Sequence, residues 1–270
     1  MPELPEVETT RRGLEPLIVG KSIESFEIRE PRLRWPVPDD LDEKLGGRPI
    51  VRLGRRAKYL LVVTDGGTLV VHFGMSGNLR YLSDPRSAAA HDHVDICLAG
   101  GGVVRFNDPR RFGSLHFASE PLGHPLLRSL GPEPLGDQFD GEYLARSCSG
   151  RRVAIKQHLM NSRVVAGVGN IYASEALFRA GIHPARQAGR IARRRLHTLA
   201  DSVRAVLNDA IGEGGTTLRD FVASDGRPGY FRMSLAVYDR ENAPCRRCGR
   251  PVRMRRLGQR ATYYCASCQR

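Results

Sequence analysis

Four cysteines near one end of the chain, Cys245, Cys248, Cys265 and Cys268, follow the spacing C-x2-C-x16-C-x2-C. Two tight turns so spaced aim four thiolates at a single tetrahedral ion, and four protein ligands leave no open position. One structural Zn2+ is therefore expected, with no catalytic role. Two disulfides or a redox pair are the competing readings, and matched pairs in a reducing compartment speak against both. Between the pairs lie Arg250, Arg253, Arg255, Arg256 and Arg260, with Tyr263 and Tyr264 on the return run. A hairpin this basic suits a phosphate backbone, the plainer alternative being a solvated face. Cys97 and Cys148 stand alone in apolar surroundings and read as core fillers.

A second reactive arrangement lies at the opposite end. Removal of Met1 would leave Pro2 as a free secondary amine, whose attack on an aldehyde carbon yields an iminium that is cationic without a further proton. Glu3 and Glu6 are near enough in sequence to serve as acid or base. Pro and Glu also occur in first helical turns for capping alone. Lys58, in RRAKYLL, is conspicuous because only four of the 42 cations are lysines. A lysine can donate and recover a proton where an arginine cannot; an ordinary strand-edge cation is the alternative.

The balance of 42 Lys+Arg against 29 Asp+Glu gives +13 and points to a polyanionic partner. No apolar run approaches membrane-spanning length, and MPELPEVETT lacks the basic and apolar regions of a secretory signal, so a cytoplasmic protein is expected. Around these residues the pattern predicts a helix over 5–17 and then a sandwich of short strands from 23 to 117: IESFEI, RPIVRL, KYLLVV, TLVVHF, HVDICL, VVRFND and SLHF. A Pro/Gly-rich linker over 121–134 follows, and then helices over 142–147, 154–159, 170–180, 190–211 and 218–222.

PELPEVET, RRAKYL, HFGMSGNLR, HDHVD, NDPRRFG, VVAGVGNIYASEALF, GGTTLRDF, SDGRPGYF and the cysteine ribbon together resemble bacterial formamidopyrimidine-DNA glycosylases along the whole chain. The resemblance implies a multidomain α and β protein: an N-terminal helix plus β-sandwich over 1–130, a helix-two-turn-helix DNA-binding domain with a lesion-recognition loop over 131–231, and a zinc ribbon over 236–270. It implies a monomer that acts on double-stranded DNA containing oxidised purines, with one zinc ion and no organic cofactor. Pro2 would be the Schiff-base nucleophile at the sugar C1′, Glu3 the acid/base, Glu6 a supporting carboxylate, Lys58 the residue of β-elimination and Arg260 that of δ-elimination. Met75, Arg110 and Phe112 would fill the space of a flipped nucleotide, and His91, Arg151, Lys156 and Asn170 would contact DNA. Asn161 stands where the family usually has Asp.

Two other functions fit parts of the pattern. The endonuclease VIII branch shares the architecture but prefers oxidised pyrimidines; Leu4, where that branch usually has Gly, and the run GGTTLRDFVASDGRPGYF favour the purine branch. A non-enzymatic zinc-ribbon DNA-binding protein would not need Pro2, Glu3 and Lys58 together.

Overall fold

The computed structural model describes residues 2–85, 87–214 and 234–270. They form two compact units, one around 2–128 and the other around 129–212 with 234–270. The predicted helix over 218–222, and the lesion-recognition loop beyond Gly214, lie outside the described residues.

The first unit begins with helix α1 (Leu4–Ile18), followed by β1 (Ile23–Ile28), the short α2 (Leu41–Leu45) and strands β2 (Ile50–Arg56), β3 (Tyr59–Thr64), β4 (Gly67–His72), β5 (Asn78–Leu82), β6 (Asp92–Leu98), β7 (Val103–Asn107) and β8 (Ser114–Ala118). These make two antiparallel sheets, in the orders β1-β6-β7-β5 and β2-β3-β4-β8. Phe26, Val94, Ile96, Val104 and Phe106 of the first sheet share one buried cluster with Leu53, Leu60, Val62, Leu69, Val71 and Leu115 of the second. The arrangement is a sandwich, and burial of this shared apolar face drives its assembly.

Helix α1 adds Val7, Leu14 and Ile18 to that cluster. It packs on β2, β3 and β5, so it lies against an edge strand of each sheet and covers ladder ends that would otherwise be open. All seven predicted strand runs are strands. Strand β5 was not expected, because NLRYL interleaves Asn and Arg with its apolar positions. It is extended because Leu79 pairs opposite Phe106. Helix α2, at five residues, is too short to show a period.

The second unit contains α3 (Gly141–Cys148), α4 (Ile155–Leu159), α5 (Asn170–Arg179), α6 (Arg193–Gly212) and the hairpin β9 (Arg253–Leu257) and β10 (Arg260–Tyr264). Helix α6 starts at Arg193 and not at residue 190, since Ala188–Arg190 form a single 3-10 turn and Ile191 is extended. Asp140 caps α3 by accepting from the Tyr143 amide at 2.6 Å.

Two histidines of the sandwich carry a pH liability. Burial, then the positive charge of His124, pushes His116 down to about 4. Burial, then Lys58, Arg34 and His116, pushes His72 to about 4 as well. An unfolded histidine titrates near 6.5, so between 6.5 and 4 the unfolded chain binds protons that the folded chain does not. This stabilisation is present above pH 6.5 and is lost as pH falls towards 4. Thermal unfolding followed by circular dichroism should show a falling Tm over that window, with a shallower slope for His116→Gln; an unaltered slope would show that this histidine folds in its charged form.

Candidate nucleic-acid interface and active site

Pro2, Glu3 and Glu6 are all buried at the start of α1. The Glu3 amide donates to the Glu6 carboxylate at 2.8 Å, one half of a capping box that closes the first helical turn. Glu6 therefore shapes the turn that presents Pro2 and Glu3, and both glutamates are only 1% exposed. Carboxylates in so dry a place interact strongly with any charge that develops near them.

Lys58 sits in the two-residue turn joining β2 to β3, where Arg56 pairs opposite Tyr59. Ala57 takes φ of +54° at the first turn position, a left-handed conformation that normally favours glycine. One arginine holds it: Arg55 donates to the Ala57 carbonyl at 3.0 Å and to Glu8 of α1 at 3.2 Å. Glu8 also accepts from Arg12 at 2.8 Å and Arg11 at 3.0 Å. Burial acts to raise the Glu8 pKa, but these arginines outweigh it and hold the carboxyl below the usual range. The turn bearing Lys58 is thus tied to the helix that begins behind Pro2. His72, which the sequence reading missed although it opens HFGMSG, pairs opposite Tyr59. It accepts the Gly74 amide on Nδ1 at 3.1 Å and is neutral near pH 7, which leaves Nε2–H as a donor.

Met75, His91, Arg110 and Phe112 come from three separate motifs, and one buried carboxylate gathers them. Asp108, 0% exposed, accepts from Ser76 Oγ at 2.7 Å and the Gly113 amide at 2.7 Å, with the Arg110 amide at 3.3 Å. Its own amide donates to the His91 carbonyl at 3.0 Å, and its carbonyl meets His93 Nε2 at 2.9 Å. The Met75 turn lies directly on this loop: a Cβ on Gly74 would approach the Phe112 carbonyl carbon to 2.3 Å. Phe112 is 42% exposed, with the Arg110 guanidinium 5.2 Å from its ring centre. The Asp-Pro step at 108–109, a common way to open a turn, is the signal by which the sequence could have marked Asp108. Below the His91 loop, Asp92 accepts from the Ala89 amide at 2.9 Å and from Asn107 at 2.8 Å, while Arg105 forks onto Asp95 at 2.7 and 2.8 Å.

In the second unit the ribbon is fastened to the helices. The Glu175 carboxylate on α5 accepts the backbone amides of Ala236, Val237 and Tyr238 at 2.8–2.9 Å, and burial raises its pKa despite them. Lys156 of α4 is placed differently from the direct DNA contact expected of it. It is 1% exposed, and its ammonium donates to the Ala261 carbonyl at 3.0 Å and Thr262 Oγ1 at 2.8 Å. Asn170, at the start of α5, donates to the same carbonyl at 3.0 Å. A desolvated ammonium needs such acceptors, and the arrangement makes Lys156 a support for β10. The first residue of β10 is Arg260, exposed after the left-handed turn Gly258–Gln259. Arg151 is exposed in the segment between α3 and α4.

The ligand atoms of Cys245, Cys248, Cys265 and Cys268 all lie within 4.8 Å of one another, with Sγ–Sγ separations of 3.9 Å for Cys245–Cys268 and 3.5 Å for Cys248–Cys265. A tetrahedral zinc with Zn–S bonds of about 2.3 Å separates its sulfurs by about 3.8 Å, so the four residues fit the ion. Cys245 and Cys265 pack with Phe178, Val237 and Val252 in a small core of their own.

A capped helix on a β-sandwich, joined in sequence to a helical unit with a four-thiolate ribbon, defines a class of multidomain zinc-ribbon proteins. Family models match three segments: the formamidopyrimidine-DNA glycosylase N-terminal domain (1–115), the formamidopyrimidine-DNA glycosylase H2TH domain (130–222) and the zinc finger found in FPG and IleRS (243–270). The chain is 58% identical over 271 residues to the formamidopyrimidine-DNA glycosylase of Methylococcus capsulatus and 56% identical over 277 residues to that of Alkalilimnicola ehrlichii, covering 100% of both chains in each case. Among solved structures, MutM (Fpg) of Thermus thermophilus superposes with a TM-score of 0.88 at 40% identity, over 99% of this chain and 98% of that one. A Lactococcus lactis FPG mutant in complex with Fapy-dG-containing DNA gives 0.92 at 34% identity, over 100% of both. The chain belongs to the formamidopyrimidine-DNA glycosylase family.

Two outcomes follow from the geometry. Asp108→Ala strands several buried donors, each costing about 1–3 kcal/mol. It should lower unfolding stability by about 2–3 kcal/mol in urea titration and weaken duplex binding, whereas wild-type values for both would mean that the loops hold without it. Stripping the metal, or Cys265→Ser, should abolish zinc content and DNA affinity together, because metal binding here is folding energy for the ribbon. Full affinity in a zinc-free protein would contradict this.

Proposed function

We propose that this chain is a bifunctional DNA glycosylase and abasic-site lyase of base excision repair, which removes oxidised purines from duplex DNA in the bacterial cytoplasm and works as a monomer. The observation that carries the reading is the Asp108-centred surface: an exposed phenylalanine and an arginine, beside Met75, on loops pinned by a fully buried carboxylate. An apolar ring held rigidly in solvent suits insertion into a base stack, where Arg110 can pair with the base left behind. Related structures support the substrate class: Lactococcus lactis FPG in complex with Fapy-dG-containing DNA and with abasic-site DNA, and MutM in complex with carbocyclic 8-oxo-G DNA.

In this reading Met1 is removed, and the freed Pro2 nitrogen bonds to C1′ of the flipped nucleoside. The C1′–N bond breaks, and its electron pair leaves with the base, which takes up a proton. The C1′–O4′ bond then breaks as the proline nitrogen, having lost its proton, forms the iminium; Glu3 delivers the proton that O4′ takes up, and Glu6 fixes the turn that presents both residues. The cationic iminium then acidifies the C2′ proton; its removal, with Lys58 serving that step, expels the 3′ phosphate. Arg260 grips phosphate and serves the second elimination, which leaves a gapped strand. His91, Arg151 and Asn170 bind the DNA backbone, and Lys156 acts from behind by holding β10. Zinc, held by the four cysteines, supplies only the ribbon's structure.

Borohydride reduction on an abasic-site duplex tests the proline chemistry: a covalent complex is expected for the wild type and none for Pro2→Gly. Trapping of both proteins, or of neither, would exclude it. The same preparation should excise 8-oxoguanine opposite cytosine faster than thymine glycol; the reverse order would assign the chain to the pyrimidine branch.

A further inference from the structure

Among the described Phe, Tyr and Trp residues only two are exposed, Phe112 at 42% and Trp35 at 49%. The others are buried or half-buried. The two stand on adjoining loops of the first unit, because the Arg34 amide donates to the Gly113 carbonyl at 3.2 Å. The residue before the indole is therefore bonded to the residue after the wedge.

The loop that carries Trp35 is built to stay in place. Its sequence PRLRWPVP has prolines at 31, 36 and 38, which restrict φ. The amides of Leu33 and Val37 both donate to the Pro31 carbonyl, at 3.1 and 2.9 Å, and both side chains anchor in the sandwich core. The indole leans edge-on against the His116 ring, with centroids 6.4 Å apart. Arg34 is exposed and has no ion pair among the described residues, while its charge is felt at Tyr59 and His72, next to the Lys58 turn. A rigid indole and a guanidinium without a carboxylate partner thus lie between the wedge loop and the turn that bears Lys58.

We infer that Arg34 and Trp35 form a nucleotide-binding subsite for the DNA flanking the Phe112 wedge, in which the guanidinium pairs with a phosphate and the indole packs on the face of the adjoining nucleotide. The inference rests on reading the chain as a DNA-binding enzyme. Continuity with the wedge surface selects the occupant, and so does the pairing of a π face with a cation, the combination that tracks nucleic-acid strands.

Trp35 is the single tryptophan of the chain, so its emission reports on this subsite alone. Acrylamide quenching is measured with and without a short duplex carrying an abasic-site analogue, with saturation set by the anisotropy of a dye on the DNA. The Stern–Volmer constant should fall at least about twofold on binding, as stacking buries the ring. Trp35→Ala should raise Kd roughly tenfold, Trp35→Phe should restore most of the affinity, and Arg34→Gln should reduce the salt slope of binding by about 1. If the duplex saturates and Pro2-dependent trapping occurs while acrylamide still reaches the indole freely, the subsite is wrong and the enzymatic reading stands. Shielding of the indole without any trapping would leave the subsite and remove the enzyme. Shielding that develops with protein concentration and no DNA would assign the patch to a second copy of the chain and overturn the inference.

Discussion

The Asp108 carboxylate is the constraint on which the exposed surface of the first unit depends. It has no access to water, so its oxygens must be satisfied by protein donors, and those donors belong to the turns at 74–77 and 108–113. Once the charge is buried, the two turns cannot move independently without leaving it unpaired. Arg110 and Phe112 are exposed and Met75 is half-buried, all three on a backbone that is not free to drift. An apolar ring stays in solvent only on such a backbone, because a ring on a slack loop would fold back onto the protein.

Buried ionic groups recur as fasteners elsewhere. Asp95 is held by Arg105 and Arg29, Glu8 by three arginines, and Glu175 by three successive amides. Each joins segments that are distant in sequence, and each would be costly to break because one partner would remain charged and dry. Apolar burial assembles the sandwich, while these carboxylates set the positions of the segments they join.

Much of this was legible in the chain, and the remainder was not for physical reasons. Alternation of β-branched residues marks a strand that is half-buried by its own composition, so IESFEI and TLVVHF could be read directly. NLRYL becomes a strand only because β7 offers it a partner, which is information from elsewhere in the fold. The cysteine spacing is a local geometric statement and carries over to three dimensions unaided. Lys156 shows the limit, because a lysine beside a basic run looks like a surface cation until β10 folds across it and supplies two acceptors. Asp108 lay within a motif already singled out, but nothing local reveals that its carboxylate faces inward.

The scarcity of lysine has a chemical consequence once the four side chains are located. Lys156 is buried with its ammonium hydrogen-bonded, Lys21 bonds the Tyr81 hydroxyl at 2.9 Å, and Lys44 pairs with Asp40 at 2.5 Å. Arginine holds phosphate but does not condense with an aldehyde near neutral pH, because its guanidinium stays protonated. A DNA-binding surface whose cations are almost all arginine can therefore hold an aldehyde-bearing strand with few amines to compete for it, Lys58 on the β2–β3 turn being the lysine that remains.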